Sequence, residues 1–406
     1  MDTRVQPDAA AEALLALARP PAAESLALMA ALGRVCFDDI RADIPNPPFA
    51  RSAYDGFALR AADCRNASAK EPVRLRVVGE LPAGTASMTP LAPGCAIKIL
   101  TGAPLPPEAD VVVAKERTKT EGEALFVFEP FPSGANIAPM GEDIGRGETI
   151  VRQGELLSAA ALGLIASQGR GDLRVYARPR VALINTGSEL VSAGEPCGEA
   201  KIYNTNLYTI GAALEALGAS LSDGGIVPDD AIAIAAAIPG ALIAHDAVFL
   251  TGGASVGDYD YTLSAIEKLG GRVLFWKTAM KPGGAMLAAE IGGKAVIGLS
   301  GNPGAALMGL LRVAAPFVKK LCGRRDCDWP RVTVLLKDAL KKPSPQMRLV
   351  SGRLGIEDAT AYFYQNARQF NGAISSFSSC ELVAEIPAGS GALPAGTPVT
   401  AYRILL

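Results

Sequence analysis

Ala247-Val248-Phe249-Leu250-Thr251-Gly252-Gly253-Ala254-Ser255-Val256-Gly257 decides the fold. Four apolar residues run without interruption and stop at a polar, glycine-rich turn. A strand covered on both faces reads as such a run, because neither side of the pleat meets water. The pattern recurs at 181–184, which leads into Asn185-Thr186-Gly187-Ser188-Glu189. It recurs again at 295–299, which leads into Ser300-Gly301-Asn302-Pro303-Gly304. Helical stretches at 207–217, 229–238, 261–269 and 304–321 separate or follow these runs. Alternation of this kind predicts a doubly wound α/β domain over 178–326, whose ligands sit beyond the strand ends. Three glycine-rich turns at one sheet edge, each opening towards a helix, predict an anion or nucleotide-like site there.

Outward from this domain the pattern changes twice. The first forty residues read as helical, with a helix from Asp8 to Ala18 and a second over 22–32 after Pro20-Pro21. A proline-rich stretch, Ile44-Pro45-Asn46-Pro47-Pro48, then suits neither a helix nor a central strand. Short strands at 75–78, 96–100, 110–113 and 124–128 predict an inserted β domain over 48–139. The segments 1–47 and 140–177, with a helix at 158–167, form one elongated N-terminal unit around it. Beyond 327, strands at 331–336, 361–364, 382–386 and 399–405 predict a small C-terminal β barrel or sandwich over 327–406. The fold class is therefore multidomain α/β plus β.

Bulk composition narrows the chemistry. The chain has 406 residues, 39 Lys plus Arg against 41 Asp plus Glu, and a net charge of -2. So balanced a chain has no basic surplus to drive binding to nucleic acid or to an anionic membrane. The apolar stretch 231–244 is too short to span a bilayer and is interrupted by Pro239-Gly240. Seven scattered cysteines without a C-x-x-C pair, and an acidic start at Asp2, Asp8 and Glu12, predict a reduced, cytoplasmic protein. There is one histidine, His245, which excludes His-rich metal sites and is expected to be structural. Neither G-x-x-x-x-G-K-[ST] nor G-x-G-x-x-G occurs. Gly253-Ala254-Ser255-Val256-Gly257 matches a nucleophile elbow only formally, because no histidine follows it.

Carboxylates gather at the strand ends: Glu189, Asp229, Asp258 and Asp260. Two or three carboxylates beside a phosphate-binding turn suit Mg²⁺, which takes oxygen ligands and keeps several waters. Asp229 and Asp260 also stand where a helix N-cap belongs, and for Asp229 the two readings are evenly matched. Lys277 and Lys281, in Phe275-Trp276-Lys277-Thr278-Ala279-Met280-Lys281-Pro282-Gly283, can supply cations for an anionic substrate or belong to a solvated loop.

Taken in order, several segments carry a resemblance. They are Pro48-Phe49 with Ser52-Ala53-Tyr54-Asp55-Gly56-Phe57-Ala58, Thr101-Gly102-Ala103 through Glu116, and Gly141-Glu142-Asp143-Ile144. Thr186-Gly187-Ser188-Glu189-Leu190, Ile202-Tyr203-Asn204-Thr205-Asn206, the 252–262 loop, Lys277 with Lys281-Pro282-Gly283, and Gly301-Asn302-Pro303 follow. With these the chain resembles the molybdopterin molybdotransferase family, which includes the E domain of gephyrin.

The resemblance implies an elongated four-domain subunit, with 178–326 as the molybdopterin-binding domain. It also implies a homodimer whose active site lies at the subunit interface. The implied reaction is Mg²⁺-dependent insertion of molybdate into adenylylated molybdopterin, with release of AMP. By carry-over, Asp55, Asp143, Glu189, Asp229, Asp260, Lys277 and Lys281 are catalytic, with Glu189 and Asp260 as metal ligands. Thr186, Gly187, Asn204, Asn206, Gly252, Gly253, Ser255, Gly257, Gly301, Asn302 and Pro303 would hold the pterin nucleotide. Asp55 and Asp143 lie outside the α/β domain and would reach the site from the second subunit.

The chain departs from the family pattern at Gly284-Ala285, where a lysine and proline are usual, and at Ser300 and Asn371. Arg348 resembles the family's C-terminal arginine. The departures lie near the expected substrate, so a non-catalytic pterin-binding or scaffold paralogue is one alternative. A molybdopterin adenylyltransferase, which has a similar α/β domain, is another.

Overall fold

The computed structural model describes residues 4–253 and 261–404. Its central layer is a six-stranded sheet. From one edge inward run Ser220–Val227, Arg180–Thr186, Ala247–Thr251 and Lys294–Leu299, all mutually parallel. Leu287–Ile291 and Arg272–Trp276 continue it antiparallel. The expected apolar runs are its three inner parallel strands, and the pleat shows why they had no polar positions. Val181 and Leu183 point to one face with Ala247, Phe249 and Ile297, beneath the helices Thr205–Ala216 and Pro303–Gly309. Ala182 and Ile184 point to the other with Val248, Leu250 and Val296, beneath Ala231–Ala244 and Tyr261–Lys268. Both faces are covered, as a doubly wound sheet requires.

Two sequence expectations are corrected here. Residues 22–32 do not form a helix: Ala23–Ala27 is a strand paired antiparallel with Asp172–Tyr176, and Leu28–Ala31 is a single tight turn. Alanine and leucine favour a helix only weakly, and this tertiary pairing overrides them. The helix expected to stop at 238 continues to Ala244 through Pro239. Ile238 and Leu242, buried on either side of that proline, hold the continuation to the sheet. The helix Pro7–Leu15 packs Ala10, Ala11 and Leu14 into the α/β core with Ile210, Leu214 and Phe317. By packing it belongs to the α/β layer, although its sequence position places it in the N-terminal segment.

Around this layer lie three smaller cores. One gathers Ala31, Cys36 and Ile40 with Val151, Leu162, Ile165 and Val175. A second fills a separate six-stranded sheet built from residues 56–127, with Phe57, Leu75 and Leu125 on one face and Ala58, Ile99 and Val112 on the other. The third fills a closed barrel. Met347–Glu357, Thr360–Gln365, Arg331–Leu336, Pro398–Arg403 and Leu382–Ile386 pair in turn, and the last returns to the first. Val334, Val350, Phe363 and Ala384 fill its interior.

A sixth strand, Met280–Lys281, adds to the barrel in parallel beside Met347 and Arg348. His245 ends the Ala231–Ala244 helix, its Nδ1 2.8 Å from Ala241 O, which is the structural role expected of it. All seven cysteines are free thiols. Among the described residues no helix is long and apolar enough to cross a membrane.

Candidate active site

The carboxyl ends of the parallel strands open onto a cavity of about 660 Å³ between the α/β layer and the barrel. Thr186 and Glu189 line it from the first strand end, Gly252 and Gly253 from the second, and Ser300, Gly301, Asn302 and Pro303 from the third. Glycine at 252 is required by contact as well as by conformation. Its φ is +88°, and a Cβ there would lie 2.3 Å from Thr186 O. The strand ends are thereby drawn together, with Gly252 N donating to Leu299 O at 3.2 Å. Gly187 does not line the cavity; a Cβ on it would strike the Glu189 carboxylate at 2.9 Å.

Two carboxylates stand at this edge. Asp230, not Asp229, caps the following helix, its Oδ2 accepting Ala233 N at 2.8 Å. Asp229 is left on the cavity wall, where Oδ2 accepts Ser188 N at 3.3 Å. The evenly matched readings of Asp229 are thus resolved by one residue of register. Asp260, Ser255 and Gly257 lie outside the described residues. Glu189 and Asp229 offer hard oxygen ligands on adjacent turns. That donor set fits Mg²⁺, whose remaining positions water and substrate oxygens fill. Among the described residues no group of three His, Cys, Asp or Glu side chains forms a closed metal cage.

Cations come from the opposite wall, which is held by backbone pairing. Val5 N donates to Lys277 O at 3.1 Å, and Ala279 N donates back to Val5 O at 2.8 Å. Lys277 has a φ of +65°, and its ammonium lies 3.6 Å from the Trp276 ring centroid. That aromatic face stabilises the charge without neutralising it. Lys281 follows on the barrel's added strand. Arg4, from the N-terminal segment, lines the same cavity and donates to Gln346 Oε1 at 2.8 Å. Arg348, paired in register with Lys281, is not a lining residue; its Nη1 donates to Lys342 O at 3.3 Å.

Three buried polar atoms lining the cavity have no hydrogen-bond partner among the described residues: Thr186 Oγ1, Asn206 Oδ1 and Thr278 Oγ1. Buried polar groups are rarely left so, and orphans gathered on one cavity mark where a polar ligand would bind. Asn206 uses its other end, Nδ2, on Gly301 O at 2.9 Å. Asn204 lines the cavity too, and its Oδ1 caps the Thr205–Ala216 helix through Leu207 N at 3.2 Å. Ser300 Oγ accepts Asn302 N at 3.2 Å, and Asn371 O accepts Ala305 N at 2.9 Å. Two of the sequence departures are therefore backbone fasteners at the start of the Pro303–Gly309 helix.

Asp55 and Asp143 do not reach this cavity within the subunit. Asp55 stands just before the inserted-sheet strand Gly56–Leu59 and accepts Thr101 N at 2.9 Å and Thr101 Oγ1 at 2.7 Å. Those bonds to its charged form, the backbone one foremost, hold its carboxyl below the usual range. Asp143 accepts Asn46 Nδ2 at 2.8 Å. Arg4, Thr278 and Gln346 were not assigned a role from sequence. They arrive through the pairing of Val5 with Thr278 and of Met280 with Met347, which no local motif announces.

An open α/β sheet with carboxylates and glycine turns at its strand ends, and lysines lining the same cavity, defines the ligand-binding class of doubly wound α/β proteins. Residues 5–169 match the family described as MoeA N-terminal region (domain I and II), and residues 182–320 match the probable molybdopterin binding domain. The molybdopterin molybdenumtransferase of Staphylococcus aureus (strain COL) is 31% identical over 375 residues, covering 92% of this chain and 90% of that protein. The one from Staphylococcus epidermidis (strain ATCC 12228) is 31% identical over 368 residues, covering 91% and 88%. A molybdopterin biosynthesis moeA protein from Pyrococcus horikoshii OT3 superposes with a TM-score of 0.84 at 28% identity, covering 99% and 100%. This chain belongs to the molybdopterin molybdenumtransferase family of enzymes.

Proposed function

We propose that the chain is a molybdenum insertase, taking adenylylated molybdopterin and molybdate and releasing AMP in a Mg²⁺-dependent reaction. The observation that carries this reading is the cavity wall. Lys277 and Lys281 line the cavity together with Glu189 and Asp229, as do three buried polar groups that have no partner among the described residues. Molybdate is a dianion and the adenylyl phosphate is charged, so two fixed ammonium groups bring together substrates that would otherwise repel. Thr186, Asn206 and Thr278 would orient the pterin nucleotide, and the Gly252–Gly253 turn lets backbone approach its phosphate.

Glu189 and Asp229 would hold Mg²⁺, joined by Asp260 from outside the described residues. The metal would neutralise the phosphate and favour departure of AMP. In a homodimer, Asp55 and Asp143 of a second subunit would complete the cleft.

The test is AMP release from adenylylated molybdopterin with Mg²⁺, with and without molybdate, beside a Glu189→Gln variant. Molybdate-dependent release that falls by at least about 100-fold in the variant supports the insertase. Tight binding without turnover in the unmodified protein would replace that reading with a non-catalytic pterin-binding paralogue.

A further inference from the structure

A second cavity, of about 120 Å³, lies where the N-terminal unit meets the α/β layer. Its walls are part apolar and part polar: Val35 and Leu156 come from one side, Ala216 and Leu217 from the other, with Tyr176 beside them. Into it converge three arginines of different origin. Arg34 belongs to the N-terminal unit, Arg178 to the link between the units, and Arg324 to the segment after the helix Ala315–Leu321. Arg34 is committed, donating to Glu24 Oε1 at 2.5 Å and to Tyr176 O at 2.8 Å. Arg178 and Arg324 have no acidic partner among the described residues.

The competing explanation is that these arginines answer helix C-termini, for Thr205–Ala216 and Ala315–Leu321 both end at this cavity. Two such ends amount together to about one negative charge, and Glu24 supplies another. Three guanidinium groups exceed that sum by about one positive charge. Arg178 is exposed and solvent screens its share of that surplus, whereas Arg34 and Arg324 are half-buried and screened less. Cys322, which also lines the cavity, does not supply the missing anion. Burial pushes its thiol up to about 12, so it is neutral at physiological pH.

We propose that this cavity is an anion site for a tetrahedral oxyanion of the phosphate or molybdate type, bridging Arg34, Arg178 and Arg324. The space admits one such ion and its waters and excludes a nucleoside. An occupant would fasten the joint between the units, where Arg325 already donates to Gly154 O through its backbone at 2.9 Å. The site is separate from the large cavity at the strand ends, with which it shares no lining residue.

Calorimetric titration with inorganic phosphate, and separately with molybdate, tests the proposal in three proteins: the unmodified chain, Lys281→Gln, and Arg178→Gln/Arg324→Gln. Phosphate binding that survives Lys281→Gln and disappears in the double variant is the expected result. Binding there should also raise the thermal transition by about 2–4 °C at a hundredfold excess over Kd, and the double variant should lose that rise. An Arg324→Lys variant, which keeps charge but not the fork, should bind about tenfold more weakly. Unchanged stoichiometry in a folded double variant, or no phosphate binding by the Lys281→Gln protein, overturns the site. The molybdate arm decides whether the ion is the family's substrate or a generic oxyanion.

Discussion

Thr278 is 1% exposed and its hydroxyl has no partner among the described residues, although Val at that position would fill the same space without a polar group. An unmet hydroxyl costs stability, whereas one that waits for a ligand returns affinity. Thr278→Val is therefore expected to leave stability unchanged or raise it by up to about 1 kcal/mol, while KM for the pterin substrate rises about tenfold. Urea denaturation and steady-state kinetics check the two halves, and an unchanged KM would make the orphaned hydroxyl a packing accident. Lys319 poses the opposite problem. It is 1% exposed, donates to Asp328 O at 3.0 Å and lies 3.6 Å from the Trp329 ring centroid. Desolvation, foremost, lowers its pKa to about 8 from the ordinary 10.5. The folded state then binds fewer protons than the unfolded chain between these values, so stability from this group rises with pH across that window. Its cost is fully present below about 8. The stability difference between the unmodified chain and Lys319→Met, followed by denaturation at pH 7.5 and 10, should shift in favour of the lysine at the higher pH. A flat difference would show that the ammonium is not desolvated.

Between the strand Met280–Lys281 and the helix Pro303–Gly309 the backbone folds against itself so closely that side chains are excluded. A Cβ on Gly284 would lie 2.3 Å from Met280 O and 2.7 Å from Thr278 O. The family's usual lysine could not be restored here without moving the turn that presents Lys281. Gly284→Ala should cost about 1–3 kcal/mol and reduce activity with it, as followed by thermal denaturation and AMP release. A neutral outcome would mean that the turn yields freely. Other elements divide by how much of their cause is local. The strands at 180–186, 247–251 and 294–299 were legible because both their faces are buried. Ser220–Val227, an edge strand reading Ser-Leu-Ser-Asp-Gly-Gly, carries no such signal, and neither does Ala23–Ala27, which only its partner turns from helix to strand. The same division runs through the site. Glu189, Asp229 and the glycine turns follow from strand ends, whereas Arg4, Thr278 and Gln346 depend on pairings between distant segments.

Across the whole molecule one side chain ties three bodies together. Arg312, 9% exposed, donates to Asp8 Oδ1 at 2.6 Å and to Glu385 Oε2 at 3.3 Å, while Tyr402 OH donates to the same glutamate oxygen at 2.5 Å. The N-terminal helix, the helical segment Leu310–Ala314 that follows Pro303–Gly309, and the barrel thus share a single guanidinium. The Asp8 end is largely exposed and contributes little, so most of the effect rests on the half-buried Glu385. Arg312→Met should lower stability by about 2–3 kcal/mol and broaden the unfolding transition as the barrel loosens first, which calorimetry would resolve. A single sharp transition at the original temperature would show that the barrel is held by its other contacts. The Met280–Lys281 strand lies within the α/β stretch of the chain yet is hydrogen-bonded into the barrel. A recombinant spliced at residue 326 would therefore join a foreign barrel to a native lysine and register neither correctly. Exchange between homologues should succeed only when 280 onwards travels as one cassette, so the unit of inheritance for this pocket is longer than either fold that builds it.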